Sequence, residues 1–182
     1  MDESLRGKLL VASPALGDPN FARSVVFITE HSAEGALGIV LDKPSGIAVG
    51  ELAPQLDQVA GPDAPVYVGG PVQPTALVVL AEFSDPAAAA WIVVADVGFA
   101  SADVELDDLA RSVRRARVYA GYSGWGPGQL EAEIEVDSWI VEPPLPPELF
   151  PDEPETLWGA VLDRKGGQYA LVARMPPDLS MN

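Results

Sequence analysis

The 182-residue chain contains no cysteine and only one histidine, His31. The absence of cysteine excludes disulfides, thiolate catalysis, iron-sulfur clusters and zinc sites with cysteine ligands. A histidine-rich metal site would need symmetric copies from other chains, because transition-metal sites usually draw two or more nitrogen or sulfur ligands from one chain. We therefore expect the protein to bind no metal and no cofactor.

Positive charge is also scarce. Eleven Lys and Arg residues stand against 27 Asp and Glu residues, which gives a net charge of −16. Nucleic-acid backbones and anionic membranes are bound through clustered basic side chains, so this balance disfavours direct contact with either. Long apolar runs are missing as well, since "ALVVLAE" and "WIVVADV" fall far short of the roughly 20 residues of a membrane helix.

One basic cluster departs from this composition, in the segment "RSVRRAR". Two interpretations are open: weak nucleic-acid binding, or cations placed against the C-terminal dipole of a helix that ends there. The second is favoured, because a nucleic-acid stripe normally belongs to a basic domain. The arginines concerned are Arg111, Arg114, Arg115 and Arg117.

The N-terminal apolar stretch, "LLVA", is too short for the centre of a secretory signal. We therefore expect a cytoplasmic protein that does not associate with a membrane. A length of 182 residues suits one domain. Residues 1–182 are predicted to form it, with a flexible tail from about residue 175.

The hydrophobic pattern predicts a single compact α+β domain, with a mixed or antiparallel strand-rich core and three or four helices packed on it. Apolar and β-branched runs predict seven to nine strands, among them 8–12, 24–30, 36–42, 65–72, 75–82, 91–97, 116–122, 138–143 and 168–175. Helical spacing predicts helices over 49–59, 105–115, 128–136 and 155–165. The concentration of strands in the first half disfavours a regular βαβ winding.

A glycine-rich segment, "GYSGWGPGQLEAEIE" (121–135), is predicted to contain a loop that joins the strand 116–122 to the helix 128–136. It fails as the G-x-S-x-G elbow of a hydrolase, because Trp125 stands where the last glycine belongs. Ser123 would also have to recruit His31 as its base. The helix start near Gly128 could hold a small anion, although the segment has neither the spacing nor the lysine of a P-loop.

A purely structural interpretation of this segment is favoured, in which glycines permit a tight turn and Tyr122 and Trp125 fill the space beside it. Trp125 is alternatively an exposed anchor for a partner. Glu30 and His31, at the end of a predicted strand, resemble an acid/base pair. Neighbours on a strand point to opposite faces, however, and a histidine bonded to turn backbone is the favoured interpretation.

Three segments together resemble the YqgE/AlgH family of bacterial proteins of largely unknown function: "ASPALGDPNFARSVVFITEHSAEGALGIVLDKP", "VYVGGPV" and "GYSGWGPGQLEAEI...SW". The resemblance runs from about Gly7 to Trp158 and implies a compact α+β domain. It carries the label of transcriptional regulator but implies no catalytic residue. The sequence departs from the family pattern at Asp42, where asparagine is usual, and at Ala81, where a histidine is common.

The leading hypothesis is a non-enzymatic, cytoplasmic interaction or regulatory domain that acts through an unknown protein partner. Its candidate contact surface consists of Glu30, His31, Tyr122, Ser123, Trp125, Gly126, Gly128 and Gln129. A small-molecule-binding or hydrolytic enzyme that uses Ser123 or the Glu30-His31 pair is the alternative, and weak nucleic-acid binding through Arg111–Arg117 is the third hypothesis. The sequence leaves the oligomeric state open.

Overall fold

The computed structural model describes residues 3–176 and places ten strands in that range. They are β1 (Leu9–Ala12), β2 (Val25–Ser32), β3 (Gly35–Val40), β4 (Pro44–Ala48), β5 (Pro65–Val68), β6 (Val72–Phe83), β7 (Ala89–Val94), β8 (Val97–Ala100), β9 (Val113–Trp125) and β10 (Trp139–Glu142). Six α-helices accompany them: α1 (Val49–Leu52), α2 (Asp57–Ala60), α3 (Leu106–Arg111), α4 (Gln129–Glu135), α5 (Leu157–Lys165) and α6 (Gln168–Ala173). The predicted α+β class is confirmed, although the strands and helices outnumber the prediction.

All ten strands form one sheet, whose main path runs β10-β1-β2-β3-β9-β6-β8-β7. β9 is the longest strand and pairs antiparallel with β3 and β6, while β5 runs parallel to it. β2 and β3 form the predicted hairpin, with a tighter turn than expected because pairing extends to Ser32 and Gly35. This arrangement brings β2, β3 and β9 side by side, and these strands carry most of the candidate site residues.

The sheet curls, so that its two ends approach each other. Arg6 Nη2 donates a 2.7 Å hydrogen bond to the Ile92 carbonyl of β7, which links the segment before β1 to the far end of the sheet. Side chains alternate along each strand and therefore line two different faces. The inner face carries a core around Phe27, Ile39 and Tyr119 and is partly covered by α5. The outer face, near α4, carries a second core around Ile28 and Trp125.

The loop predicted in the glycine-rich segment is shorter than expected, because β9 continues to Trp125 and leaves only residues 126–128 before α4. The glycines are required by close backbone packing with the "VYVGGPV" segment. A Cβ atom on Gly70 would lie 2.2 Å from the Tyr122 carbonyl oxygen, and one on Gly69 would lie 2.3 Å from the Gly121 oxygen. Two of the three segments that identify the family resemblance therefore pack backbone against backbone.

Three other elements differ from the prediction. The helix predicted over 105–115 ends at Arg111, because β9 begins at Val113 and takes the following residues into the sheet. The helix predicted over 49–59 is interrupted at Pro54, where a 3₁₀ turn separates α1 from α2. The last predicted strand, 168–175, is instead helix α6.

Helix α6 forms because of its packing. Tyr169, Val172 and Ala173 follow the i, i+3, i+4 spacing of one helical face, and all three pack against the inner core. Most of the predicted flexible tail, residues 177–182, lies outside the described range. Between residues 3 and 176, none of the helices combines the length and hydropathy that crossing a bilayer would require.

Candidate functional site

The candidate residues on β2 and β9 divide between the two faces of the sheet. His31 pairs with Ala36, which in turn pairs with Trp125, so these positions share the outer face. Ser123 pairs with Gly38 and belongs to the same face. Glu30 and Tyr122, each one residue away, line a cavity on the inner face. The surface predicted as one patch is therefore two separate regions.

The inner region is a cleft of about 490 Å³, and we refer to it as the cleft throughout. Most of its lining is apolar and comes from β3, β6, β7, β8 and α3, including Leu37, Ile39, Val78, Trp91, Phe99 and Leu106. Leu37 and Trp91 are 38% and 45% exposed, and both border the same apolar lining, so they form part of a continuous apolar surface. The sequence pattern shows nothing of this cleft, because its lining comes from several separate segments spread between Thr29 and Tyr122.

On the outer face, both ring nitrogens of His31 are engaged. The Leu5 backbone N–H donates to Nδ1 at 2.9 Å, and Nε2 lies 2.6 Å from Glu131 Oε1. Because Nδ1 accepts a hydrogen bond, the ring proton belongs on Nε2, which donates to Glu131. This bond is the main reason that the pKa of Glu131 is lowered. His31 thus ties the N-terminal segment to α4, and it does not contact the adjacent Glu30.

Ser123 is fully buried, and its Oγ donates a 3.1 Å hydrogen bond to the Gly69 carbonyl. A serine nucleophile needs its hydroxyl within hydrogen-bond reach of a base. Since both nitrogens of His31 are bonded elsewhere, Ser123 and His31 do not form that relay. Ala81, where the family pattern commonly has a histidine, is fully buried in a hydrophobic cluster with Phe83 and Leu109.

The remaining candidates form a closed polar network around α4. Trp125 is only 6% exposed and is not a surface anchor. Its indole N–H donates to Glu133 Oε2 at 2.9 Å, and the Trp139 indole donates to the same oxygen at 2.8 Å. The Gln129 amide donates to the other oxygen of Glu133 at 3.1 Å. Glu133 therefore accepts hydrogen bonds from three donors, of which the two indole N–H groups belong to buried side chains and Gln129 is exposed.

The start of α4 is also closed by the chain itself. The Gly126 N–H donates to Gln129 Oε1 at 3.0 Å, and Gly128 precedes the helix in the left-handed region with a φ of 73°. The helix has only seven residues, and Glu131 lies in its first turn. These features give the proposed anion no support, because an acidic first turn already complements the helix dipole.

The arginine cluster is paired within the chain. Arg111 forms an ion pair with Asp108 on α3, and Arg115 contacts Glu82 at 2.8 Å. Arg114 lies 3.3 Å from Asp96 and donates to the Phe83 carbonyl. The Arg117 guanidinium stacks 4.9 Å from the Tyr67 ring centroid and donates to the Pro151 carbonyl. This arrangement spreads the four arginines along α3 and β9 with local partners, which does not favour a shared phosphate-binding surface.

A buried carboxylic acid lies apart from both regions. Asp42 is 6% exposed, and burial raises its pKa to about 6 despite the nearby Lys43 and a hydrogen bond from the Val25 N–H. It is one of the two positions that depart from the family pattern. Among the described residues, no group of three or more His, Asp and Glu side chains is arranged to hold a metal ion.

Comparison with known proteins assigns the family. The AlgH-like family model matches residues 9–170. A UPF0301 protein of Streptomyces coelicolor is 40% identical over 98% of this chain and 96% of its own length, and one of Mycobacteroides abscessus is 41% identical over 97% and 87%.

Two solved structures share the fold. The crystal structure of a Corynebacterium diphtheriae protein superposes with a TM-score of 0.84 at 28% identity, covering 96% of this chain and 94% of that one. The solution structure of the AlgH protein from Pseudomonas aeruginosa gives a TM-score of 0.69 at 30% identity, covering 98% of this chain and all of that one. The resemblance seen in the three sequence segments is thereby confirmed, and the chain belongs to the AlgH-like family.

Proposed function

We propose that this protein is a non-enzymatic interaction domain that acts in the cytoplasm through a protein partner, and that the partner contacts the cleft. The single observation that carries the proposal is an open apolar surface containing Leu37 and Trp91, two large side chains that remain well exposed. Contiguous exposed apolar surface on a folded protein commonly marks an interaction site. Glu30 and Tyr122 are the members of the predicted contact surface that line it.

The regulatory label carried by the family resemblance fits an indirect role. A chain with a net charge of −16 is poorly suited to phosphate backbones, and its four clustered arginines have partners within the chain. Regulation through another protein requires no nucleic-acid contact by this domain. We therefore infer that any effect on transcription passes through the partner.

Affinity capture from native lysate tests the proposal, with nuclease added to remove complexes bridged by nucleic acid. Ala102 is an exposed residue of the cleft lining, so Ala102→Trp should obstruct the cleft. Ala160 is exposed on α5 outside the lining, and Ala160→Trp is the matched control. We expect a protein that is retained by the wild type and the control but lost with Ala102→Trp. Retention of no protein by the wild type would contradict the proposal.

Binding of a small apolar molecule is a second candidate function, favoured by the size of the cleft. Ligand pockets usually measure roughly 300–1,000 Å³, and the cleft falls within this range at about 490 Å³. Native mass spectrometry of the protein as purified from its own host would detect a retained ligand. A single mass, equal to that of the bare chain, would count against this candidate.

A further inference from the structure

Strand β6 has an open edge at the cleft. On the side away from β9, β8 pairs only with Leu80, Ala81 and Glu82, although β6 begins eight residues earlier at Val72. From Leu77 to Val79, where β6 pairs with β9 in regular register, no strand within the described chain pairs with the opposite side of β6. The residues before Leu77 are excluded from this edge, because the register with β9 shifts there, Gln73 has a φ of 46° and Pro74 has no N–H. Backbone N–H and C=O groups along such an edge are free to pair with another extended chain.

The lining of the cleft shows that it lies along this edge. Leu77, Val78 and Val79 all contribute to it, and successive side chains of a strand point to opposite faces. A cavity that touches three successive residues must therefore pass around the edge of the strand. Val78 packs against the inner core, whereas Leu77 and Val79 pack on the outer side near α2 and α3.

An extended peptide would fit this shape. Paired with β6, it would place alternate side chains on the two faces, one set toward Ile39 and Phe99 and the other toward Leu106 and Leu109. In this mode of recognition, main-chain hydrogen bonds supply affinity and pockets for alternate side chains supply specificity. The cleft offers both components at the same place.

The charge of the cleft favours a bound segment that carries a basic side chain. Among its lining residues, Glu30 is the only Asp, Glu, Lys, Arg or His side chain. It stands on an exposed position at the end of β2, within a chain of net charge −16. A segment that carries lysine or arginine beside its apolar residues would complement this carboxylate, whereas an acidic segment would be repelled.

This inference rests on the proposed function: we propose that the cleft binds an extended segment of the partner protein, which pairs with residues 77–79 of β6 as an added strand. The segment alternates apolar residues that enter the cleft and carries a basic side chain at Glu30. A second copy of this chain is disfavoured as the occupant, because two bodies of charge −16 would meet at a carboxylate. A small apolar molecule would leave the strand edge unpaired.

A displayed library of random twelve-residue peptides, selected on the wild-type protein, identifies a probe. We expect enriched peptides to alternate apolar residues and to contain lysine or arginine. Binding of a synthetic enriched peptide to the full chain, followed by amide hydrogen exchange, locates the contact. Slower exchange of amides within residues 77–79 on binding supports strand addition, because side-chain docking alone would not protect them.

Two variants with matched controls sharpen this test. Ala102→Trp should lower the affinity for the peptide at least about tenfold, the loss caused by 1.4 kcal/mol, whereas Ala160→Trp should not. Glu30→Gln should lower it up to about fivefold at low salt, the size of an exposed ion pair, and the loss should shrink as salt is added. Glu34 lies in the β2–β3 turn outside the lining, so Glu34→Gln should leave the affinity unchanged.

Several results would overturn the inference. These are protection of amides elsewhere, enrichment of acidic peptides, self-association blocked by Ala102→Trp, or displacement of the peptide by a co-purified small molecule from the cleft. A library that yields no peptide bound more weakly by Ala102→Trp than by the wild type would also overturn it. The proposed function has its own separate test: it falls if affinity capture retains no protein, or if the retained protein binds Ala102→Trp as well as it binds the wild type.

Discussion

The outer face around α4 and the inner cleft are built from the same strands, yet they differ in how their side chains are used. On the outer face, His31, Ser123 and Glu133 each hold a hydrogen bond that joins two parts of the chain. In the cleft, Glu30 and Tyr122 border open apolar surface, although each immediately precedes one of these residues on the same strand. The polar residues that resemble catalytic groups in the sequence thus hold the fold together on the outer face. The surface that is open to a ligand lies in the cleft and is mostly apolar.

The Gly69-Gly70 segment packs backbone against backbone on β9, the strand that contributes to both faces, and Gly70→Ala should disrupt this contact most strongly. The added Cβ would lie 2.2 Å from the Tyr122 oxygen, at a backbone φ of 155° that L residues rarely adopt. We expect a loss of at least about 3 kcal/mol in the free energy of unfolding, combining backbone strain and overpacking. Chemical denaturation measures this loss.

Gly17→Ala is the matched control, because nothing lies within 4 Å of the added Cβ. Its free energy of unfolding should stay within about 0.5 kcal/mol of the wild type. Equal stability of the two alanine variants would contradict the requirement for glycine at position 70.

Asp42 has fewer hydrogen-bond partners than Glu133, which accepts from three side chains. Asp42 Oδ1 accepts one hydrogen bond, from the Val25 N–H, and burial raises the pKa of Asp42 from 3.8 to about 6. A raised pKa means that the folded state binds the proton more tightly, so ionisation of Asp42 destabilises the fold as pH rises from about 4 to 6. The penalty above pH 6 is about 3 kcal/mol.

Asp42→Asn removes this ionisation and keeps an oxygen for the Val25 N–H. We expect the variant to equal the wild type at pH 3.5 and to be more stable by up to about 3 kcal/mol at pH 7, with the difference growing between pH 4 and 6. Urea unfolding at several pH values measures the difference between the two proteins, in which the titration of other groups cancels. A difference that does not change with pH would contradict the raised pKa.

Glu133→Ala tests whether the outer network is structural. The substitution leaves the indole N–H groups of Trp125 and Trp139 without their acceptor, and both side chains are at most 6% exposed. We expect a loss of about 2 kcal/mol in the free energy of unfolding and a shift in tryptophan fluorescence. Glu135→Ala, at an exposed position on the same helix, should change neither, and similar effects from both variants would contradict the assigned role.

The sequence predicted best what depends on local pattern. The β2–β3 hairpin and α4 follow from alternation, turn residues and helical spacing over a few residues. The continuation of β9 through its glycines was missed, because glycine signals a loop locally and the reason for it here lies about 50 residues away, at Gly70. α6 was mistaken for a strand because its apolar residues suit either structure, and contact with the inner core decides between them.

The candidate site was predicted in part for the same reason. Sequence identified the residues that meet, since β2, β3 and β9 do lie side by side. It could not say which neighbour of each pair faces open surface, because that depends on what covers each face. Trp91 and Phe99, which lie 5.1 Å apart between ring centroids at the cleft, carried no signal beyond that of ordinary strand residues.

The smallest expected change in the free energy of unfolding concerns two adjacent residues, His31 on the outer face and Glu30 at the cleft, and therefore compares the two faces directly. His31→Ala removes the acceptor of the Leu5 N–H and the partner of Glu131, and should lower the free energy of unfolding by about 1 kcal/mol. Glu30→Ala should change it by less than about 0.5 kcal/mol, because the side chain is exposed at the cleft and ties no segments together. The two variants should rank in the opposite order when binding is measured. Glu30→Ala should weaken the binding of a basic partner segment, whereas His31→Ala should leave it unchanged. A greater loss of stability from Glu30→Ala than from His31→Ala would show that the two faces have been assigned the wrong roles.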